Sequence, residues 1–85
     1  MKNLICAFAT LTIMGHALAA VDCTKEPKEK WKAEADFKKE LEATYKIKKF
    51  KVTSGNCYEI YGWNKAGKRV EIYFNPVTGE IVKSK

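Results

Sequence analysis

Histidine is almost missing from this 85-residue chain. Its one copy, His16, lies in the N-terminal stretch, as does Cys6, the first of three cysteines. That stretch reads as a secretory signal peptide over residues 1–19. Lys2 supplies a positive start, residues 4–14 are almost wholly apolar, and Ala17-Leu18-Ala19 puts small residues at the two positions that a signal peptidase reads. The apolar run is shorter than the ~20 residues that span a bilayer and ends in a cleavage pattern, which argues against a membrane anchor. Asp22, directly before Cys23, argues against lipid attachment at that cysteine. Once residues 1–19 leave, no histidine remains, so Ser/His and Cys/His nucleophiles and imidazole metal ligands are excluded. The two remaining cysteines, Cys23 and Cys57, lack the close CxxC spacing that tunes a reactive thiol pair. No phosphate-binding glycine loop is present, because Gly55, Gly67 and Gly79 all fit turns. The expectation is a protein that is not an enzyme and holds no cofactor or metal.

What remains is one small, basic domain over residues 20–85, with 15 basic residues against 10 acidic ones. A core of this size buries little apolar surface, and an oxidising compartment makes a disulfide the expected supplement. Cys23 and Cys57 are the candidates, and their bond would close a loop of about 35 residues, stabilising by roughly 3 to 4 kcal/mol in the chain-entropy model.

The chain is organised around three glycines spaced twelve residues apart (Gly55, Gly67, Gly79), with Glu59-Ile60-Tyr61 and Glu71-Ile72-Tyr73 repeating at the same interval. Strands between turn glycines make an antiparallel meander. Asn64-Lys65-Ala66-Gly67 suits a type I turn closed by a left-handed glycine, which pairs Asn64 with Lys68. Counting outward, Trp63 opposes Arg69, Tyr61 opposes Glu71, Ile60 opposes Ile72, Glu59 opposes Tyr73 and Tyr58 opposes Phe74. Alternation then puts Tyr58, Ile60, Val70, Ile72 and Phe74 on a core face, and Glu59, Tyr61, Trp63, Arg69, Glu71 and Tyr73 on an outer, solvated face.

Residues 20–30 are polar and contain Pro27, which reads as an irregular lead-in. A helix is predicted over residues 33–45, where Ala33, Phe37, Leu41 and Tyr45 form one apolar stripe that can cover the core face. Trp31, just before it, reads as a cap on the end of the core. Residues 47–53 supply the first strand. A turn at Thr53-Ser54-Gly55 would oppose Phe50 to Tyr58 and Val52 to Asn56, while Ile47 has the other parity and fits a corner or a bulge. A short last strand follows Asn75-Pro76-Val77-Thr78-Gly79, with its register open. The predicted fold is α+β: one N-terminal helix packed on a four-stranded antiparallel meander sheet.

The runs Cys57-Tyr58-Glu59-Ile60-Tyr61-Gly62, Asn64-Lys65-Ala66-Gly67-Lys68-Arg69-Val70-Glu71-Ile72-Tyr73 and Pro76-Val77-Thr78-Gly79-Glu80-Ile81-Val82 resemble the small secreted PepSY-domain proteins. So does Asp22-Cys23-Thr24 followed by Trp31. Thr44 departs from the pattern, standing where members often carry glycine. The resemblance implies a one-helix, antiparallel-sheet module of the bacterial cell envelope, periplasmic or secreted, that restrains or binds peptidases and has no catalytic residues.

Two binding surfaces follow from the residues. Tyr61, Trp63 and Tyr73, ringed by Arg69, Glu59 and Glu71, have the aromatic and arginine character of an interface for an envelope protein or peptidase. Cover by the N-terminal segment or the last strand would account for the same aromatics equally well. The second surface is the lysine-rich first strand, Lys46, Lys48, Lys49 and Lys51. It would take an anionic envelope surface or polymer, or would simply guard an edge strand against pairing. Nucleic acid is a poor partner for an exported protein, and a monomer that does not span the membrane is expected.

Overall fold

A computed structural model of the protein describes residues 21–85, so the expected signal peptide lies outside the described residues. The architecture is α+β. A single-turn 3-10 helix, Lys28–Lys30, precedes one α-helix, α1 (Glu34–Glu42), and four strands: β1 (Lys46–Val52), β2 (Tyr58–Trp63), β3 (Arg69–Phe74) and β4 (Ile81–Ser84). The strands pair antiparallel in the order β1-β2-β3-β4, a simple meander. The helix lies inside the chain, ahead of the sheet, and is shorter than the apolar stripe suggested. It stops at Ala43, where Thr44 and Tyr45 both turn their amides back to the Leu41 carbonyl.

Phe37 and Leu41 are the buried residues of α1, and they pack on Tyr58, Ile60, Ile72 and Phe74 from the central strands. Tyr45 has left the helix but still closes the cluster, together with Trp31, Ile47, Phe50, Val52 and Val70. Phe37 meets Phe74 edge-on at 5.3 Å and stacks on Tyr58 at 5.7 Å. Trp31 stands edge-on to Tyr58 at 5.7 Å, and its indole N–H donates to the Glu26 carbonyl, which matches its role as a cap.

The β2–β3 hairpin has the register counted from its turn, from Trp63 opposite Arg69 to Tyr58 opposite Phe74. Gly67 takes the left-handed conformation (φ 82°), and the Asn64 amide donates to the Lys68 carbonyl.

The β1–β2 register differs from the expectation by two residues: Val52 opposes Tyr58 and Phe50 opposes Ile60. The left-handed residue of that loop is Asn56 (φ 61°), not Gly55. Gly55 is needed for a different reason. A Cβ there would collide with the backbone carbonyl of Val21, because the lead-in runs directly against it and the Cys23 amide donates to the Gly55 carbonyl. Since the shift is two residues, face parity survives, and Phe50 and Val52 remain on the core side. An irregularity between Ile47 and Lys49 then turns Ile47 inward as well.

β4 pairs Phe74 with Ile81 and Tyr73 with Lys83, with a second irregularity between Tyr73 and Phe74. It leaves Ile81 and Val82 exposed.

Candidate functional site

The outer face of the sheet collects nearly every polar and aromatic candidate. On β2 and β3 the paired residues are Trp63 with Arg69, Tyr61 with Glu71, and Glu59 with Tyr73. β1 extends the same rows, because Lys46 opposes Trp63, Lys49 opposes Tyr61 and Lys51 opposes Glu59. The aromatic face and the lysine strand are therefore one surface. Lys46 Nζ lies 5.9 Å from the Trp63 ring centre and Lys51 Nζ lies 5.8 Å from that of Tyr61, within the range of cation–π attraction. Lys48, at the β1 irregularity, joins Tyr61, Gly62, Trp63 and Arg69 around a hollow of about 160 Å³. The four lysines of β1 and Arg69 are exposed, whereas Tyr61, Trp63 and Tyr73 are half-buried.

Glu59 is not solvated, which corrects the reading of the outer face as plain alternation. It is 2% exposed, flanked by Lys51 and Tyr73, and the lead-in reaches its end of the sheet through Val21. Val21, Lys51, Thr53, Ser54, Glu59 and Tyr73 border a cleft of about 310 Å³ there. Among the described residues Glu59 Oε2 has no N–H or O–H partner, and Lys51 Nζ stands 3.9 Å from Oε1, beyond hydrogen-bonding reach. Glu71 is better provided for. The Tyr73 hydroxyl donates to its Oε2 at 3.2 Å, and Lys85 Nζ lies 3.7 Å away.

These surroundings pull the two acids apart. Burial, and then the neighbouring Glu71 carboxyl, push the Glu59 carboxyl above its ordinary value. The neighbouring Glu59 carboxyl is the main reason the Glu71 carboxyl is lowered, with Tyr61, Tyr73 and Lys85 adding to it. The Tyr61 hydroxyl is raised chiefly by the neighbouring Glu59 carboxyl, and burial pushes that of Tyr73 up to about 12.

Cys23 and Cys57 are bonded, with their Cα atoms 5.1 Å apart. Cys57 is fully buried behind the β1–β2 loop. Around the bond the lead-in is stitched to the sheet. Asn75 Nδ2 donates to the Cys23 carbonyl at 3.1 Å, the Lys32 amide donates to the Pro76 carbonyl at 2.8 Å, and the Tyr58 hydroxyl donates to the Lys32 carbonyl at 2.6 Å.

Lys85 and Val21 are members of this site that sequence reasoning missed. Lys85 exchanges backbone hydrogen bonds with Glu71 and lies 5.7 Å from the Tyr73 ring centre, so the outer face has cations on both flanks. Its place depends on the β4 register, which the loop sequence leaves open. Among the described residues no group of three or more His, Cys, Asp or Glu is placed to hold a metal ion, and no helix is long and apolar enough to cross a membrane.

A family model described as peptidase propeptide and YPEB domain matches residues 3–85. No curated protein and no solved structure gives a match.

Proposed function

The chain belongs to the peptidase propeptide and YPEB domain family, and from that premise we propose that it is a non-catalytic binding module of the cell envelope. Residues 1–19 act as the signal peptide, and residues 20–85 form the exported domain, periplasmic or secreted. The module restrains or inhibits a peptidase, or holds another envelope protein, through the outer face of its sheet. One observation carries this reading. Tyr61, Trp63 and Tyr73 form a half-buried aromatic centre on the face opposite α1, with Lys46 and Lys51 of β1 and Lys85, just past β4, lying over the three rings. Aromatic anchors surrounded by polar groups that exclude water are what dominates protein–protein contacts.

The exposure of Lys46, Lys48, Lys49 and Lys51 favours a second reading, electrostatic capture of an anionic polymer or surface. One experiment separates the two. The immobilised protein is used to recover partners from envelope extract, and the recovered protein is rebound at increasing salt and to Trp63→Ala. Docking on the aromatic centre predicts salt-tolerant binding and a loss of ~2 kcal/mol or more in Trp63→Ala, roughly thirtyfold in affinity. Binding that vanishes with salt and ignores Trp63→Ala would instead assign the contact to the lysines.

A further inference from the structure

We infer that the cleft beside Glu59 is the seat of the amino terminus that export creates: once residues 1–19 are removed, the α-ammonium group of Ala20 folds in against the Glu59 carboxylate. The inference rests on the signal-peptide reading of residues 1–19 given under the proposed function. Two independent observations meet at this cleft.

The first is the state of Glu59. It is 2% exposed, and among the described residues its Oε2 has no N–H or O–H donor. A carboxylate buried in that state is costly until a cation or a donor reaches it. The elements packed around it bring neither to bonding distance. From β1, Lys51 Nζ stays 3.9 Å from Oε1, half in solvent. Tyr61 on β2, and Glu71 and Tyr73 on β3, carry no positive charge, and Lys85, just past β4, lies 3.7 Å from Glu71 instead.

The second observation is the course of the lead-in. The chain is pinned at Cys23 by the disulfide and by the Cys23 amide on the Gly55 carbonyl. Followed backward from there, its Val21 carbonyl lies 3.4 Å from Cys57 Sγ, and Val21 borders the cleft of about 310 Å³ together with Lys51, Glu59 and Tyr73. The next residue back is Ala20, the first of the cleaved chain. Neighbouring Cα atoms are about 3.8 Å apart, so the bond into Val21 keeps the Ala20 nitrogen within a residue's length of the cleft. While Ala19 is attached, that nitrogen is an uncharged amide with one N–H. Cleavage makes it an ammonium group with three donors and a full positive charge. The tether also decides the occupant. A lysine of another protein would have to approach past the exposed Lys46, Lys48, Lys49 and Lys51, which repel it, whereas the protein's own terminus is already there.

Cleavage is thereby registered on the outer face. Before it, Glu59 keeps its proton; after it, an anion stands paired with the new terminus. The pair exists between the Glu59 midpoint, which it lowers, and the amine midpoint, which it raises above the ordinary value of about 8.

The test compares two disulfide-intact forms of residues 20–85, one with a free Ala20 amine and one acetylated there. Carbon NMR follows the Glu59 carboxyl through a pH titration and nitrogen NMR follows the amine. The expected result is a lower Glu59 midpoint in the free-amine form, and an amine midpoint raised by about one unit, a tenfold tighter hold on its proton. The free-amine form should also melt higher at neutral pH, and Glu59→Gln should erase that difference. Equal Glu59 midpoints in the two forms would overturn the inference, as would a melting difference that persists in Glu59→Gln. Equal midpoints that both fall on adding methylammonium chloride would give the cleft to another protein's ammonium group instead. Should Glu59→Gln fail to fold, the midpoints of the two wild-type forms still decide. Intact mass of the exported protein, expected to begin at Ala20, tests the cleavage reading separately: another start would overturn that reading, whereas the midpoints test the cleft.

Discussion

Glu59 repeats its neighbours in sequence but not in environment. Glu59-Ile60-Tyr61 and Glu71-Ile72-Tyr73 are identical tripeptides, yet one glutamate is buried and keeps a raised pKa while the other is half-buried with a lowered one. Burial depends on what crosses the sheet end, and the lead-in that brings Val21 there is separated from Glu59 by more than thirty residues. No local pattern could reveal that. The same holds for Gly55, which has the spacing of a turn glycine but serves as a contact for Val21, while Asn56 takes the left-handed position. The stability consequence of Glu59 has a definite sign. A raised folded-state value means that the folded protein holds the proton more tightly than the unfolded chain, so its stabilisation is complete below 4.5 and is lost as pH rises through the folded value. Glu71, being lowered, acts oppositely: its contribution is present above 4.5 and is lost as pH falls through its folded value. In the chain whose Ala20 nitrogen is still acylated, Glu59→Gln, which keeps the shape and cannot ionise, should therefore raise the melting temperature relative to wild type above the folded Glu59 value and change it little below 4.5. Melting curves across pH check this, and an unchanged difference between the two proteins at all pH values would contradict it.

At the scale of elements, the β2–β3 hairpin was legible residue by residue because its turn is short and its closing glycine is left-handed in fact. β1 was legible only to its faces: its loop turns through Asn56 and not Gly55, but a two-residue slip preserves parity, so Phe50 and Val52 still point to the core. β4 was not legible, because the long loop from Asn75 and the irregularity beside Phe74 allow several registers. The lysine strand and the aromatic face read as separate surfaces in the sequence, because only the actual β1–β2 pairing sets Lys46 beside Trp63 and Lys49 beside Tyr61. A test of the two faces uses one residue from each. Ile72, on the central strand β3, is 2% exposed within the core cluster, so Ile72→Ala should cost about 2–5 kcal/mol through the cavity it leaves. Trp63 is half-buried on the opposite face, and Trp63→Ala should cost clearly less. Thermal or urea denaturation of both variants measures the order. The reverse order would mean that the outer face, not the face under α1, carries the packing.

At the scale of the whole molecule, the short helix and the meander leave the lead-in as the piece that most needs fastening. α1 contributes only Phe37 and Leu41 to the buried core, and small domains of this size have narrow stability margins. The Cys23–Cys57 bond spans a sequence separation of 34, and its removal should release chain entropy worth roughly 3–4 kcal/mol to the unfolded state. That is comparable with the whole stability of such a domain, so the reduced protein should melt far below the oxidised one. Reduction should also be slow. Cys57 is fully buried, and the lead-in over it is held by the Cys23 amide on Gly55, Asn75 on the Cys23 carbonyl and the Lys32 amide on Pro76. A reductant therefore has to wait for an opening that breaks several of these bonds together. The observable is the rate of thiol appearance under native conditions against the rate in mild denaturant. Acceleration by denaturant in step with unfolding is expected, because opening limits access. Fast reduction that ignores denaturant would show that the lead-in opens freely, and that Glu59, which shares its cover, is wetter than its burial implies.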